Sequence, residues 1–520
     1  MGGMTRRSLL KAGSAGVAAS VAGLPAVAGA QEEPKHGGTV TVALVQAPPS
    51  LDAHLTSAQV SRDICLHMYE TLYARDENAG VVPDLAQGAD ISKDGLTYTF
   101  HLRPGVKFHN GKTMDAGDVV ASLDRYKRIA ISSILLNAVD RMEASGPLEV
   151  TVRLSKVQSN FLDTLSSPGN PLAIYPAEEA KKDPKDFKFI GTGPMKFVEY
   201  APDSHATLET FKDYTPNPNY TKRDGFAGRK EMFIDRAVFR FMPEFGARNA
   251  AVQTGEVQIN ETTDGPTAKQ LANDPKVQVV RLLPFALQLG KFNHAQPPCD
   301  DVNFRRAVAA CLNMEETMAI AYPDIYKLDG GLVYGYSPYY TKAGLDLYNI
   351  ADPDKAKQLL AKSKYKGETL TFITDTLRPD VDTATDIKEQ LGQIGIKINV
   401  KVSDWPTVSA MGFKPEGWHF WTHGLGIEPY EGPAKLMSIW ANGFSQIKDD
   451  PNIDKMYADL LAELDMEKRK AIFASFQQYM YENAVTMPLG EYGMFQVVSA
   501  KIKNFAPYRI PRLWGIWYEA

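Results

Sequence analysis

The chain is poor in the features that mark several large classes of protein. Only three cysteines occur in 520 residues, Cys65, Cys299 and Cys311. Their number is odd and none has CxxC spacing, so neither a disulfide framework nor a zinc knuckle underlies the fold. Buried free thiols are the expectation, with a Cys299–Cys311 disulfide as the alternative. There is no block of lysine and arginine, and the net charge is -5. A nucleic-acid partner requires a basic patch to neutralise phosphates, so none is expected. Catalytic signatures are also missing. The chain has no P-loop and no HExxH. "GTGPMK" (191–196) lacks the third glycine of a dinucleotide turn, and "GYSPY" (335–339) has Tyr339 where a nucleophile elbow needs glycine. Neither an enzyme nor a cofactor is expected.

What is present is an ordinary globular balance, 44% hydrophobic and 23% charged, which fits neither wholesale disorder nor a multi-span membrane protein. At roughly 150 residues per domain, the length implies two to four domains, each with its own core. The N-terminus, "MTRRSLLKAGSAGVAASVAGLPAVAGAQEEP", places Arg6 and Arg7 before an apolar run of small residues that ends at Ala28-Gly29-Ala30. That order is an export signal with a small-residue cleavage site, here 1–30; a single membrane span is the alternative. "TRRSLLK" resembles the twin-arginine signals, with Leu9 where phenylalanine is commoner. No cysteine stands in the signal for lipid attachment, so a mature protein free in the periplasm is expected.

Two grammars follow. Up to about residue 285, alternating segments dominate: "GTVTVAL", "LTYTFHL", "LEVTVRLS" and the hairpin "TGPMKFVEYAPDSHATLETF". Helical spacing covers Asp115 to Arg128, and "GARNAAVQTG" (246–255) reads as a short helix with a glycine stop. Beyond 285, "ETLTFIT", "DTATDIKEQLGQIG" and "IKINVKV" form strand, amphipathic helix and strand. Such a unit implies parallel strands joined by a right-handed crossover. A further helix is expected in "DMEKRKAIFASFQQYMYENA".

Strings along the mature chain, in order "GGTVTVAL" with "SLDAH", "YETLY", "VVPDLAQGADISKDGLTYTFHLRPGVKFHNGK", "GTGPMKF", "FRFMPEFGARNAAVQTGEVQI", "DDVNFRRAVAACLNMEETM", "DPDKAKQLLA" and "IKEQLGQIGIKINV", span nearly all of 36–490. Together they resemble the extracytoplasmic solute-binding proteins of the dipeptide and oligopeptide ABC-importer family. The resemblance implies an α/β fold, a two-lobed periplasmic-binding-protein clamp with an extra α+β subdomain in lobe I. Lobe I would be 31–285 plus 490–520, with 73–185 as the subdomain, and lobe II 286–489. It further implies a monomer that hands a short peptide or other small molecule to an inner-membrane ABC permease.

Candidate binding residues cluster beyond 370. "GWHFWTHGLGIEPYEGP" (417–433) reads as a strand followed by a loop, its β-favouring aromatics ending in glycine turn chemistry. His419 and His423 would share a metal only on a helix; on a strand they stand about 13 Å apart. Alternation puts His419, Trp421 and His423 on one face and Trp418, Phe420 and Thr422 on the other. Arg378 follows one strand and Glu428 another. In an open parallel sheet, ligands gather beyond the carboxyl ends of strands, so the two loops can open on one crevice. A guanidinium fork suits a carboxylate, and a carboxylate accepts from an ammonium. In the dipeptide-binding branch, an Arg-Pro and an acidic-Pro at such places hold the ligand's two ends; here they would be Arg378-Pro379 and Glu428-Pro429, with Glu where Asp is usual. The alternatives are an Arg378–Glu428 salt bridge or two solvated charges. Trp418, Trp421 and Tyr430 would supply apolar walls, Trp440 belongs with the core, and Tyr336 lies in a second aromatic loop, "VYGYSPYYTK".

Overall fold

The computed structural model describes residues 33–425, 432–447 and 450–519. The expected signal, Glu428 and Tyr430 lie outside the described residues. Among the described residues no helix is long and apolar enough to cross a membrane.

Among the described residues, one sheet of eleven strands runs through the molecule. Ten are numbered here: β1 Thr39–Leu44, β2 Met195–Ala201, β3 His205–Thr210, β4 Arg236–Phe241, β5 Ile259–Thr263, β6 Val277–Phe292, β7 Thr369–Thr374, β8 Lys397–Val402, β9 Phe420–Leu425 and β10 Thr486–Ser499. Their spatial order is β8-β7-β9-β6-β10-β5-β1-β4-β3-β2. The alternation in "TVTVAL" becomes a strand because Val40, Val42 and Leu44 all enter one core. A separate four-stranded antiparallel sheet is built from Ala86–Ile91, Thr97–Leu102, Val139–Gly146 and Glu149–Leu154.

The helices used below are α1 Gln59–Met68, α2 Ala116–Ile129, α3 Phe161–Leu165, α4 Arg378–Gly392, α5 Trp405–Gly412, α6 Gly432–Ala441, α7 Pro451–Ala462 and α8 Met466–Glu482. Short acidic side chains start several of them. Asp115 and Asp118 form a reciprocal capping box on α2, and Asp404, Asp450 and Asp465 each accept a first-turn N–H. The "GARNAAVQTG" helix spans Phe245–Thr254 and stops at Gly255, whose φ of 81° is left-handed. β7 and β8 pair in parallel across α4, as the strand-helix-strand pattern requires.

Four large cores result. One joins β1, β4 and α1 to Ile502, Leu513 and Ile516 of the C-terminal tail. A second lies between the four-stranded sheet and α2. Two more hold the later half of the chain, one containing Phe292, Phe372 and Phe420, the other Leu287, Leu289 and Trp440. Cys65, Cys299 and Cys311 are free and buried.

The "SLDAH" segment ties the first core to the second. Arg125 of α2, fully buried, donates through both terminal nitrogens to Asp52, at 3.1 and 2.5 Å, and lies 4.6 Å over the Phe187 ring. Tyr175 donates to the same carboxylate at 3.3 Å. Removing the cation leaves Asp52 buried without compensation, so Arg125→Ala should cost about 3–5 kcal/mol of stability, measured as a shift in the urea unfolding midpoint.

Candidate ligand-binding cleft

Strand directions locate the cleft. β1 and β4 run parallel to each other and to β5; β5 is antiparallel to β10, and β10 to β6. β9 opposes β6, while β7 and β8 run with β9. β1, β4 and β5 therefore point along β6 and β7, β8 and β9 against it. The first group attaches at residues 495–498 of β10 and the second at residues 287–292 of β6. The carboxyl ends of both groups thus face each other across the middle of β6 and β10, where pairing breaks between Leu282 and Ala286. Ligands in open α/β sheets collect at such ends.

On one wall stand Asp375, Leu377 and Arg378 after β7, Trp405 after β8, and His423 near the end of β9. Asp375 accepts from the Leu377 amide at 2.7 Å and is side-chain bonded to Asp380 in the first turn of α4. Asp380 also accepts from Gln288 at 3.1 Å, and Gln288 in turn accepts from Tyr322 at 3.1 Å. Burial, followed by the Asp375 charge, pushes the Asp380 carboxyl up to about 7. Across the cleft, Glu261 of β5 is side-chain bonded to Asp63 of α1, and burial pushes it up to about 7 as well. Each wall therefore holds a buried carboxyl that takes up a proton near neutrality.

Along β9, successive side chains alternate as expected from Phe420 onward. Phe420 joins the core with Phe292 and Phe372, while Trp421, 2% exposed, turns to the opposite face beside His423, ring centres 4.5 Å apart. The Lys291 Nζ lies 4.1 Å from the Trp421 ring centre. Burial pulls Lys291 down to about 6, and burial plus Lys291 hold His423 near 3. This basic pair is mostly uncharged at neutral pH, which keeps the aromatic wall apolar.

The expected face assignment fails at Trp418. Gly417, at φ 89°, turns the chain immediately before it, and regular pairing begins only at Phe420. Trp418 packs edge-on against Trp421, ring centres 6.4 Å apart, and its indole N–H donates to the Lys414 carbonyl at 2.8 Å. With 0% exposure it is core in this structure. His419 accepts from the Thr371 amide at 3.0 Å, and among the described residues no group of His, Cys, Asp and Glu converges as an ion cage.

A model of bacterial extracellular solute-binding proteins, family 5 (middle region), matches residues 80–446. The chain belongs to this family. It is 25% identical to the glutathione-binding protein GsiB of Pectobacterium atrosepticum, over 95% of this chain and 94% of that one. It is 26% identical to di/tripeptide-binding protein 2 of Pseudomonas aeruginosa, over 93% and 94%. Its fold matches the crystal structure of the ABC transporter substrate-binding protein CtaP of Listeria monocytogenes with a TM-score of 0.82, at 22% identity, covering 93% of this chain and all of that one. This solute-binding protein thus has the two-lobed α/β architecture of a class made up of binders rather than enzymes.

Of the residues expected to bind, Arg378 opens α4 with its side chain 86% exposed, held only loosely by Asp382 at 3.3 Å. Tyr336 is 41% exposed and stacked on the buried Tyr334, ring centres 5.6 Å apart. Trp440, expected in the core, is 1% exposed and packs there with Phe476. Sequence reasoning passed over Trp405, 50% exposed at the start of α5 and with its ring centre 6.1 Å from that of Trp421. It also passed over Asp375 and Asp380, although both flank Arg378 in the "TDTLRPD" loop it had singled out, and over Glu261.

Two outcomes are expected of this family 5 protein. Trp418→Ala should destabilise it by about 3–5 kcal/mol through the cavity it leaves, read by chemical unfolding. Asp380 has a raised carboxyl, so the folded state binds its proton more tightly than the unfolded chain. The stability this contributes is present in acid and is lost as pH rises from about 4 through about 7. Asp380→Asn should accordingly match the parent near pH 4 and exceed it by about 2–4 kcal/mol at pH 8, in urea titrations across that range.

Proposed function

We propose that this chain captures a short peptide or a related small zwitterion in the periplasm and delivers it to an inner-membrane ABC permease, without covalent chemistry. The observation that carries this reading is the convergence of two sets of strand ends on one cleft, with an exposed guanidinium, Arg378, at the loop after β7. An exposed planar fork on a rigid helix start is suited to a carboxylate. Glutathione and di- or tripeptides, the ligands named for the two relatives, each carry both a carboxylate and an ammonium. Glu428, beyond β9, would take the ammonium. Trp405, Tyr336 and Tyr430 would flank the apolar body, with Trp421 and His423 supporting that wall and Trp418 bracing it from behind.

In this account residues 31–285 and 490–520 form lobe I, with 73–185 as its subdomain, and 286–489 form lobe II. The lobes close on the solute because a bound molecule touching both is held only in the closed form. The protein acts as a monomer, and the permease reads the closed shape. Export follows the twin-arginine route, so the chain folds before it crosses.

Native mass spectrometry of protein purified without unfolding should show a retained solute of a few hundred daltons. Arg378→Ala should weaken its rebinding about tenfold or more, in isothermal titration; unchanged affinity would remove the carboxylate clamp. Turnover of the recovered solute, or a metal requirement for binding, would overturn the importer reading itself. Replacing Arg6 and Arg7 by lysine should leave unprocessed precursor in the cytoplasm, seen by fractionation; normal periplasmic yield would point to the general secretion route.

A further inference from the structure

The segment around α3 meets the corner between α7 and α8, some 300 residues further along the chain. The Ser159 amide donates to the Leu461 carbonyl at 2.9 Å, and its hydroxyl to the Leu460 carbonyl at 2.7 Å. Asp163 of α3 sits between two guanidinium groups. Arg75 donates to its carboxylate at 3.0 Å, and Arg469 of α8 approaches the other oxygen at 3.9 Å. The same carboxylate abuts the start of α6, where a Cβ on Gly432 would meet it at 3.3 Å. The side chains of Arg75, Arg469 and Asp163 are only 3%, 10% and 19% exposed.

Residues 159 and 163 lie in the proposed lobe I subdomain, and residues 432, 460, 461 and 469 in proposed lobe II. Between those lobes the chain is continuous only through β6 and β10, whose pairing breaks midway. Contacts at α3 therefore add to whatever the hinge strands hold, and they exist only while the lobes are together. Each charge also keeps a contact within its own half. Arg75 keeps Asp163 and the Ala79 carbonyl, to which it donates at 3.0 Å, and Arg469 keeps the Tyr339 ring, 5.4 Å from its guanidinium carbon. Separation strands no buried charge, so the contact can open and close reversibly.

We propose that Ser159, Asp163 and Arg469, with the Leu460–Leu461 backbone, form a clasp that sets the balance between open and closed lobes without touching the solute. This rests on the clamp reading above. These are positioning residues. They set the fraction of closed molecules, and apparent affinity scales with that fraction. Asp163 is the shared element, because it is bound to its own lobe and reaches the other.

The test needs no solute. The Ser159–Leu461 hydrogen bond brings the two backbones within disulfide reach, and the native cysteines are buried and compete little. In ligand-free S159C/L461C protein treated with diamide, the cross-link should form readily, and adding Arg469→Ala should slow it at least fivefold. Asp163→Asn, which removes the shared charge while keeping the side chain's shape, should slow it in the same direction. Small-angle scattering of the Arg469→Ala protein should show a larger radius of gyration, with an unchanged thermal midpoint. An unchanged cross-linking rate in both variants, or no cross-link in the parent, would overturn the clasp. Because every arm is read without solute, that failure is distinct from a failure to bind peptides, which would leave the clasp standing and remove the proposed ligand class.

Discussion

The antiparallel pairing of β6 with β10 is the constraint on which the rest depends. These are the two longest strands, sixteen and fourteen residues, and each serves both halves of the sheet. Their outer pairs fix the strand sets on either side, while the break between Leu282 and Ala286 interrupts the ladder between them. A continuous ladder would make one stiff sheet; two unconnected sheets would lose their mutual register. The broken pairing keeps the register and leaves a place where backbone torsions can change. Because the two sets run in opposite senses along β6, both present their carboxyl ends to that place. Fold and cleft follow from one topological fact.

The electrostatics of the cleft are consistent with a site that waits for a charged guest. Asp380 with Asp375, and Glu261 with Asp63, are carboxyl pairs in which burial favours a shared proton. The same burial lowers Lys291 and His423, which likewise favours their neutral forms. The walls therefore avoid the cost of bare buried charge. On the wall after β7, the Arg378 guanidinium stands exposed to solvent.

Much of the architecture was legible in the sequence because local pattern and tertiary use agree. Period-two alternation in "TVTVAL", the Asp115 cap and the Gly255 stop each express a local preference that the fold keeps. The parallel β7-α4-β8 unit followed from the crossover requirement. At Trp418 pattern reading failed for a local reason: Gly417 turns the backbone, and the strand's period starts only at Phe420, two residues into the aromatic run. Asp375 and Asp380 were hidden for another reason. An acid beside an arginine in a loop looks like solvent-exposed charge, and only the placement of Gln288 and Tyr322, from distant segments, turns these carboxylates inward. Composition carries no trace of such a long-range arrangement.

The central claim is that two halves joined by broken hinge strands close on a solute. It is tested most directly by the distance between the halves in solution. Spin labels replacing the exposed Ile134 and Lys455 would report it by pulsed electron resonance. In protein stripped of solute, two distance populations are expected, and a mixture of di- and tripeptides should collapse them onto the shorter. A single distribution that stays fixed while solute binds to saturation would contradict the account.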